Sequence, residues 1–289
     1  MLQVFLTVNE KDLKAIEKTL FDCGALSITF QDAEDRPGLE PVPGEMLVWS
    51  RITLTGLFAA NSDSILIRSS LQAALGKDVK LRFEHVADKD WSRIWMADFK
   101  PMRFGKRLWI CPSWQSHSEP DSIVISLDPG LAFGTGTHPT TALCLQWLDT
   151  YPPLAAELID YGCGSGILAI AALKLGARHV WAVDIDPQAL IATNKNAHKN
   201  KIATADLDIV KPERLPEVHV DLLIANILSG PLIDLSQRLA ETMKPGGTLV
   251  LSGILSEQAE IVIKAYTNHF KMWSPLKKDE WVLLQGLRL

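Results

Sequence analysis

The sequence predicts an α/β protein with a doubly wound, mostly parallel sheet, preceded by an N-terminal ferredoxin-like α+β domain. From about residue 106, short apolar strands alternate with helices, which is typical of a parallel sheet covered on both faces. Residues 1–86 instead show strand, helix and strand patterns twice over, the order of a ferredoxin-like module. We therefore expect a small domain over 1–86, a linker over 87–105 and a larger domain over 106–289.

The predicted small domain begins with an alternating strand over 2–8. Asn9 is expected to cap a helix over 11–23, which has apolar residues at helical spacing and ends at Gly24. Prolines and glycines over 37–44 indicate a long loop. The remaining expected elements are strands over 25–31, 46–55 and 79–85 and a helix over 62–75.

The predicted linker contains a helix that ends near Pro101. Trp91 and Trp95 lie four residues apart, so they share one face of that helix. Packing of this face against a domain is the simpler interpretation, and a hinge that lines a substrate path is the alternative.

The predicted large domain alternates strands with helices along its whole length. Its expected strands cover 158–161, 179–183, 222–225, 248–252, 271–273 and 281–289, and its expected helices cover 139–148, 168–175, 187–200, 232–243 and 257–268. A turn is expected at 244–247. The last two strands suggest an edge hairpin on the sheet.

Composition and charge limit the possible partners. The 289-residue chain carries a formal net charge of −5, which favours a basic protein partner over RNA or DNA. Cys23, Cys111, Cys144 and Cys163 show no zinc or redox spacing, so we predict no metal and a reducing compartment. The N-terminus resembles no signal peptide, and no apolar run is long enough for a membrane helix. We expect a cytoplasmic protein.

A glycine-rich turn, Gly162-Cys163-Gly164-Ser165-Gly166, separates a predicted strand from a predicted helix. Glycine permits a tight turn and close approach of a ligand to the backbone, and the helix N-terminus offers free amide donors. The next predicted strand ends at Asp184. Ligands of doubly wound sheets bind beyond the carboxyl ends of the strands. We therefore expect Asp184 beside the turn, where its carboxylate accepts hydrogen bonds from ribose hydroxyls.

The length of this turn bears on which cofactor it binds. A dinucleotide fingerprint is G-x-G-x-x-G, whereas the turn here is one residue shorter and Asp160 precedes it by two residues. An acidic side chain at that place suits a cationic methionine end better than a diphosphate. The pattern favours S-adenosyl-L-methionine over NAD, with Asp160, Gly162, Gly164, Gly166 and Asp184 as cofactor-binding residues.

A second glycine-rich stretch, Phe133-Gly134-Thr135-Gly136-Thr137-His138-Pro139-Thr140-Thr141, leads into a helix. Pro139 suits the first helical position, and Thr140 and Thr141 fall in the first turn, where side chains and free amides can face a ligand. We interpret the stretch as a flap over the cofactor, with a plain helix entry as the alternative. For His138, a general base and a helix cap are both open.

Asn226 ends the predicted strand that lies across the cleft from the glycine-rich turn. Methyl transfer to an amine requires the neutral amine, although a free lysine has a pKa near 10.4. An uncharged side-chain oxygen can bind the amine hydrogens and align the lone pair. We predict Asn226 as the catalytic residue, with a simple strand-closing role as the alternative.

These motifs together resemble the PrmA family, the methyltransferases of the eleventh large-subunit ribosomal protein. The resemblance is carried by the 133–141 stretch, by Asp160 to Gly166, by Asp184-Ile185-Asp186-Pro187 and by Asn226-Ile227-Leu228. It covers nearly the whole chain, and the 133–141 and Asn-Ile-Leu stretches are its most specific parts.

The resemblance implies N-methylation of lysine side chains and of the N-terminal α-amine of that ribosomal protein. It implies that Thr141, Gly162, Asp184 and Asn226 contact the cofactor, and that the N-terminal module binds the substrate. Ile227 and Leu228 replace the Pro-Pro-aromatic tail of the better-known amine methyltransferase motif, so no aromatic wall for the amine is visible there. Phe104 and Trp109 and the Trp91–Trp95 face are possible substitutes.

Two other functions stay open on the residues alone. An RNA methyltransferase would use the N-terminal domain to bind RNA, although residues 1–86 show no excess of basic side chains. A non-catalytic ribosome-associated protein would keep the cofactor fold without turnover. A nicotinamide-dependent dehydrogenase is a more distant alternative.

Overall fold

The computed structural model describes residues 1–33, 49–76, 79–85, 100–115, 117, 119–128 and 136–289. The chain divides into two compact units, Met1–Ala97 and Asp98–Leu289. The predicted domain limits at residues 86 and 105 stay a prediction. Most of the predicted linker, including Trp91 and Trp95, lies outside the described residues, as does the loop over 37–44.

The first unit has the predicted βαββαβ order. Its elements are β1 (Leu2–Asn9), α1 (Leu13–Asp22), β2 (Ser27–Asp32), β3 (Arg51–Phe58), α2 (Ser64–Leu75) and β4 (Arg82–His85). The strands form an antiparallel sheet in the order β2-β3-β1-β4. This arrangement confirms the ferredoxin-like fold.

Strand β1 supplies the centre of this unit's core because its alternate side chains face the helices. Leu2, Val4 and Leu6 are buried together with Ile16 of α1 and Ile67 of α2. Burial of such a side chain stabilises the fold by about 1.5–3 kcal/mol.

The start of α1 differs from the prediction. Asn9 is the last residue of β1, where it pairs with Arg51, and a short 3₁₀ turn over Glu10–Asp12 precedes the helix. Asn9 is therefore not a helix cap, because the sheet ladder extends one residue further than the alternation suggests. Asp63 does cap α2, with its Oδ1 accepting from the Ile65 and Leu66 amides at 2.8 and 3.2 Å.

The second unit opens with a small sheet that the sequence does not predict. Its strands are β5 (Met102–Phe104), β6 (Leu108–Cys111) and β7 (Ile123–Ser126), in the order β5-β6-β7. Strands of three or four residues are too short for a period to be recognised in the sequence. Strand β5 lies within the range that we predicted as linker.

The large sheet of this unit follows the predicted alternation of strands and helices. Its elements are α3 (Pro139–Thr150), β8 (Glu157–Tyr161), α4 (Ile167–Lys174), β9 (His179–Val183), α5 (Pro187–Lys199), β10 (Leu207–Val210), β11 (Val220–Asn226), α6 (Ser229–Asp234), α7 (Ser236–Glu241), β12 (Met243–Leu255), α8 (Ala259–Tyr266), β13 (Phe270–Met272), β14 (Leu276–Lys278) and β15 (Trp281–Arg288).

The strand order is β10-β9-β8-β11-β12-β15-β13, with β14 also pairing with β15. Strands β8 to β12 all run parallel to one another. Strand β15 lies between β12 and β13 and runs antiparallel to both. The order reverses between β8 and β11, which are adjacent although two strands separate them in the chain. A crevice at such a reversal is where doubly wound sheets bind ligands.

Several boundaries differ from the predictions. The helix expected over 232–243 is two short helices, α6 and α7, and the turn expected at 244–247 lies within β12, whose pairing is irregular near its start. Strands β10 and β14 were not predicted. They are short and partly exposed, so they lack the apolar run that marks a buried strand.

Helix α4 is buried from Ile167 to Ala172 and begins directly after the glycine-rich turn that follows β8. Apolar side chains of both sheet faces fill two large clusters, one containing α3 and α4 and the other containing α8. Among the described residues, no helix combines the length and apolar character that crossing a bilayer requires.

Candidate active site

A cavity of about 730 Å³ opens at the carboxyl ends of the central strands. Its walls come from the start of α3, from the ends of β8 and β11, from the segments that follow β8, β9, β10 and β11, from Gly253 of β12 and from the first residue of β15. The size is within the usual range for a small-molecule site. Gly162, Gly164, Asp184 and Asn226, all predicted from the sequence, line it.

The glycine-rich turn is fixed by backbone hydrogen bonds to the neighbouring strand. The amides of Gly162 and Cys163 both donate to the Val183 carbonyl, at 2.7 and 3.0 Å. Gly162, Gly164 and Gly166 have φ values of +79°, +54° and +77°, which only glycine adopts without strain. The turn therefore presents its backbone to the cavity in a defined shape.

Asp184 links the turn to the next helix. Its Oδ2 accepts from the Gly164 amide at 2.9 Å, and its Oδ1 accepts from the Asp186 amide at 2.9 Å. Each carboxylate oxygen keeps further acceptor capacity. The side chain is thus oriented by the protein while it still offers two oxygens to the cavity.

Gly166 has a packing role in this structure. It does not line the cavity, and a Cβ at this position would lie 2.7 Å from Thr193 Cγ2 on α5. Asn196 Nδ2 also donates to the Ser165 carbonyl at 2.8 Å. The second half of the turn is therefore packed against α5, and direct contact of Gly166 with a cofactor stays a prediction.

Asp160 lies behind the turn and is fully buried. Its Oδ2 accepts from the Ala169 amide at 3.0 Å, in the first turn of α4, whereas its Oδ1 has no hydrogen-bond partner in the described structure. The pKa of Asp160 is raised to about 7, because burial and, to a smaller extent, the charge of Asp184 raise it more than the hydrogen bond from the Ala169 amide lowers it. Its contact with the cofactor stays a prediction.

The raised pKa of Asp160 predicts a pH-dependent stability. Between the ordinary pKa near 4 and the folded value of about 7, the folded protein holds a proton that the unfolded chain has released. The free energy of unfolding therefore falls as pH rises through this window. The contribution is fully present below pH 4 and lost above pH 7, by a few kcal/mol at most, since one pKa unit is about 1.4 kcal/mol.

The Asp160→Asn variant removes this titration while it keeps an acceptor for the Ala169 amide. In urea unfolding of the ligand-free protein at pH 5 and pH 8, we expect Asp160→Asn to gain stability relative to wild type at the higher pH. Parallel pH dependences of the two proteins would show that Asp160 does not titrate in this range.

Asn226 is held in place by Thr141 at the start of α3. Its Nδ2 donates to Thr141 Oγ1 at 3.3 Å, and Thr141 itself is fully buried. Asn226 Oδ1 is buried without a partner in the described structure. An unpaired acceptor of this kind costs about 1–3 kcal/mol, so a ligand that donates to it gains affinity. Direct contact of Thr141 with the cofactor stays a prediction.

The residue after Asn226 fits between two glycines. A Cβ at Gly162 would overlap Ile227 Cγ2, and a Cβ at Gly253 in β12 would overlap the Ile227 carbonyl oxygen. Ile227 therefore packs closely where β8, β11 and β12 meet. This packing sets the backbone direction of the segment that carries Asn226.

His138 caps helix α3. Its Nδ1 accepts from the Thr140 amide at 3.4 Å and lies 2.7 Å from Thr140 Oγ1. Burial lowers the pKa of His138, and the charge of Glu280 opposes this shift. The ring also lines the cavity. Residues 129–135, which include the start of the predicted flap from Phe133 to Thr135, lie outside the described residues.

The capping geometry predicts how His138 variants behave. We expect His138→Ala to lower the free energy of unfolding by about 1 kcal/mol, because the Thr140 amide loses its acceptor. His138→Asn should restore most of it, since Asn is a strong cap, and thermal unfolding measures both. A loss of turnover above about 100-fold in a stable His138→Asn protein would instead assign His138 to proton transfer.

Of the aromatic walls suggested from the sequence, Phe104 and Trp109 do not line the cavity, and Trp91 and Trp95 lie outside the described residues. Phe104 is 5% exposed and belongs to the apolar core, and Trp109 stacks on His117 with ring centroids 3.8 Å apart. Both residues lie in strands of the small sheet. Because the sequence does not predict that sheet, the direction of these two side chains could not be predicted either. Among the residues that the structure describes, Trp281 and Tyr161 are the aromatic residues that line the cavity besides His138.

Sequence reasoning also missed other lining residues. Ile185 and Pro212 lie two residues beyond the ends of β9 and β10, and that position could have indicated them. Leu235 lies between α6 and α7, Arg238 belongs to α7, and Trp281 comes from the antiparallel β15. No local signal points to these three, because they reach the site only through the packing of distant segments.

The strand order, with one antiparallel strand inserted next to the last, and the glycine-rich turn beside Asp184 define a class I methyltransferase. The chain belongs to the family described as ribosomal protein L11 methyltransferase (PrmA), which matches residues 1–288. The resemblance noted in the sequence is therefore confirmed, and the chain is a methyltransferase.

Similar proteins cover the full length of the chain. Ribosomal protein L11 methyltransferase of Pseudomonas aeruginosa (strain LESB58) is 49% identical over 288 residues, covering 99% of this chain and 98% of that protein. The protein of the same name from Shewanella sediminis (strain HAW-EB3) is 48% identical over 290 residues, covering 99% of each. The crystal structure of ribosomal protein L11 methylase from Lactobacillus delbrueckii subsp. bulgaricus is 34% identical with a TM-score of 0.61, covering 66% of this chain and 99% of that one.

Proposed function

We propose that this methyltransferase uses S-adenosyl-L-methionine to methylate amines of ribosomal protein L11, namely lysine side chains and the N-terminal α-amine. The substrate is inferred from the names of the full-length relatives. The observation that carries an amine as acceptor is Asn226, a residue of the cavity wall whose uncharged Oδ1 is buried and has no hydrogen-bond partner in the described structure. Such an atom suits a donor such as an amine N–H.

The residues of the cavity fit the proposed cofactor. Asp184 is placed to accept from the two ribose hydroxyls, because both of its oxygens are oriented by backbone amides and keep acceptor capacity. Gly162 and Gly164 leave room for close approach of the ligand to the backbone. We propose that Gly166 and Thr141 act from behind the wall, by packing the turn and by holding Asn226.

Asp160 adds negative charge beneath the turn. Its unpaired Oδ1 suits the ammonium group of the methionine end, which would stabilise the ionised carboxylate. When bound, S-adenosyl-L-methionine would supply a sulfonium methyl group, to which a neutral amine forms an N–C bond while the S–C bond breaks and the thioether S-adenosyl-L-homocysteine leaves. We propose that the chain's residues place that amine and keep it neutral.

The acceptor side of the cavity is largely apolar. Ile227, Leu228, Pro231 and Leu235 line it, and desolvation by such side chains disfavours the charged form of an amine. Asn226 Oδ1 accepts one amine hydrogen and thereby directs the lone pair toward the methyl group. The proton that the ammonium loses passes to water. No charged base is required in this scheme.

The N-terminal unit is proposed to bind the substrate protein, with residues 1–86 as the recognition domain. The net charge of −5 favours a basic partner such as a ribosomal protein. Neither nucleic acid nor a membrane is required in this proposal, and a cytoplasmic location follows from the proposed substrate.

Incubation with methyl-labelled S-adenosyl-L-methionine tests the proposal. The acceptors are purified L11, ribosomal RNA and intact ribosomes, and mass spectrometry of the product locates the methyl groups. We expect label on L11 amines. Label on RNA with none on L11 would favour the RNA methyltransferase, and cofactor binding without transfer to any acceptor would favour the non-catalytic alternative.

A further inference from the structure

We propose that Trp281 is the positioning residue for the acceptor amine, with its indole forming the aromatic wall that the segment after Asn226 lacks. This inference rests on the proposed function, because it assumes that an amine enters the cavity. It assigns recognition of the incoming cation to a residue about fifty positions away from Asn226 in the chain.

Trp281 lines the same cavity as Gly162, Asp184 and Asn226. It begins β15 and pairs with Leu255 of β12. Since β12 is the direct neighbour of β11, the start of β15 is brought to the same edge of the sheet as Asn226. The sheet thus supplies an aromatic side chain that Ile227 and Leu228 do not.

Strand pairing and a ring contact hold Trp281 in place. Its strand pairs with β12 on one side and with β14 on the other, where Trp281 pairs with Lys278. The His138 ring contacts the indole edge to face, with centroids 4.8 Å apart and an interplanar angle of 70°. His138 is in turn held by Thr140. The indole is therefore held in place before a substrate arrives.

Tyr161, the other large aromatic ring of the cavity, lies in a different electrostatic setting. The charges of Arg238 and Glu213 both act on its hydroxyl, and Arg238 donates to the Pro212 carbonyl at 2.7 Å. The guanidinium and the carboxylate at Tyr161 have opposite charges and offset each other. Trp281 follows Glu280, whose negative charge acts on His138, and pairs with Lys278 of β14. The choice of Trp281 over Tyr161 therefore rests on the indole, whose face attracts an ammonium group more strongly than the Tyr ring does.

The chemistry of an indole suits both the substrate and the product of this reaction. Its face attracts ammonium groups by about 0.5–2 kcal/mol, more strongly than Phe or Tyr does, and it also binds methylated ammonium. The flat ring packs against the methylene chain of lysine. Trp281 would therefore bind the amine through successive methylations without donating a hydrogen bond that competes with Asn226.

Variants of Trp281 test this role with full-length enzyme and purified L11. Trp281→Leu and Trp281→Met remove the ring, whereas Trp281→Phe keeps a weaker one. We expect the aliphatic variants to raise KM for L11 by about 5- to 30-fold, the equivalent of about 1–2 kcal/mol. Trp281→Phe should lie between them and wild type. The affinity for S-adenosyl-L-methionine, measured by calorimetry, should change by less than about threefold, because ribose and methionine contacts are untouched.

Trp273→Leu is the matched control. Trp273 is also a partly exposed tryptophan next to β15, with its amide bonded to the Gln285 carbonyl at 3.0 Å, but it lines a different cavity. This variant should keep wild-type kinetics. Equal impairment of Trp281→Phe, Trp281→Leu and Trp281→Met would indicate packing and overturn the proposal, as would unchanged kinetics in all three.

Inhibition of the wild-type enzyme is a second measurement that does not depend on the folding of a variant. Tetramethylammonium should compete with L11 and not with S-adenosyl-L-methionine, whereas neutral neopentyl alcohol of similar shape should not compete. Equal inhibition by both, or by neither, would overturn the proposal. If the wild-type enzyme leaves L11 unmethylated, the proposed function itself is wrong. If it methylates L11 but the Trp281 variants or the inhibitors give the contrary results described above, only the role of Trp281 is wrong.

Discussion

Replacing Asn226 with alanine is expected to lower kcat for L11 methylation by about 100- to 1000-fold, the loss seen when one preorganised polar group is removed from a catalytic site. Asn226 lines the cavity and its Oδ1 is buried without a partner in the described structure, so in the proposed mechanism its removal deprives the amine of the acceptor that directs the lone pair. Steady-state kinetics at saturating S-adenosyl-L-methionine measure the effect. Cofactor affinity, measured separately, should fall much less.

Thr141→Val is the companion variant for Asn226. It removes the Oγ1 that accepts from Asn226 Nδ2 at 3.3 Å while it nearly keeps the side-chain shape. We expect a smaller loss of kcat, about tenfold, because Asn226 stays present but loses its orientation. If Asn226→Ala recovers the wild-type rate once the cofactor is saturating, Asn226 serves cofactor binding alone.

Asp184→Ala is expected to weaken S-adenosyl-L-methionine binding by about 100-fold or more. The variant loses two acceptors for the ribose hydroxyls, each worth about 1.5–3 kcal/mol when the acceptor is charged. It also releases the Gly164 and Asp186 amides, which are both 2.9 Å from the carboxylate. Isothermal titration calorimetry gives the dissociation constant directly.

The neighbouring Asp186 provides the control for Asp184. Its Oδ1 accepts from the Gln188 amide at 2.9 Å as the cap of α5, and it does not line the cavity. Asp186→Ala should cost about 1 kcal/mol of stability and leave the affinity nearly unchanged. Comparable losses of affinity in both variants would show that Asp184 acts by ordering the loop rather than by binding ribose.

Much of the second unit could be predicted because its signals are local. Alternating apolar strands and helices gave the layer order, and the glycine-rich turn followed by Asp184 predicted a cofactor site at the carboxyl end of the sheet. The structure places Gly162, Gly164, Asp184 and Asn226 around one cavity. These residues are found from the sequence because each one lies at or within three residues of the carboxyl end of a strand, and parallel strands end at a common edge.

The functions of individual residues behind the wall could not be predicted in the same way. Three residues of the same motifs contact protein groups instead. Asp160 accepts from the Ala169 amide, Gly166 packs against Thr193, and Thr141 accepts from Asn226. Their partners are 9 to 85 positions away in the chain. Motif spacing predicts which edge of the sheet a residue reaches. Packing against neighbouring helices and strands determines which groups that residue contacts.

The sequence by itself determined the fold class, the edge of the sheet where the cofactor site lies and the family to which the chain belongs. Periodicity, turn chemistry and strand-end position are properties of short segments, so they can be recognised without the fold. Only the tertiary structure decided that Trp281 lines the cavity. Trp281 reaches the cavity because β15 inserts antiparallel beside β12. Phe104 and Trp109 lie in the small sheet and do not line the cavity. Such long-range pairing depends on the whole sheet, and no local pattern encodes it.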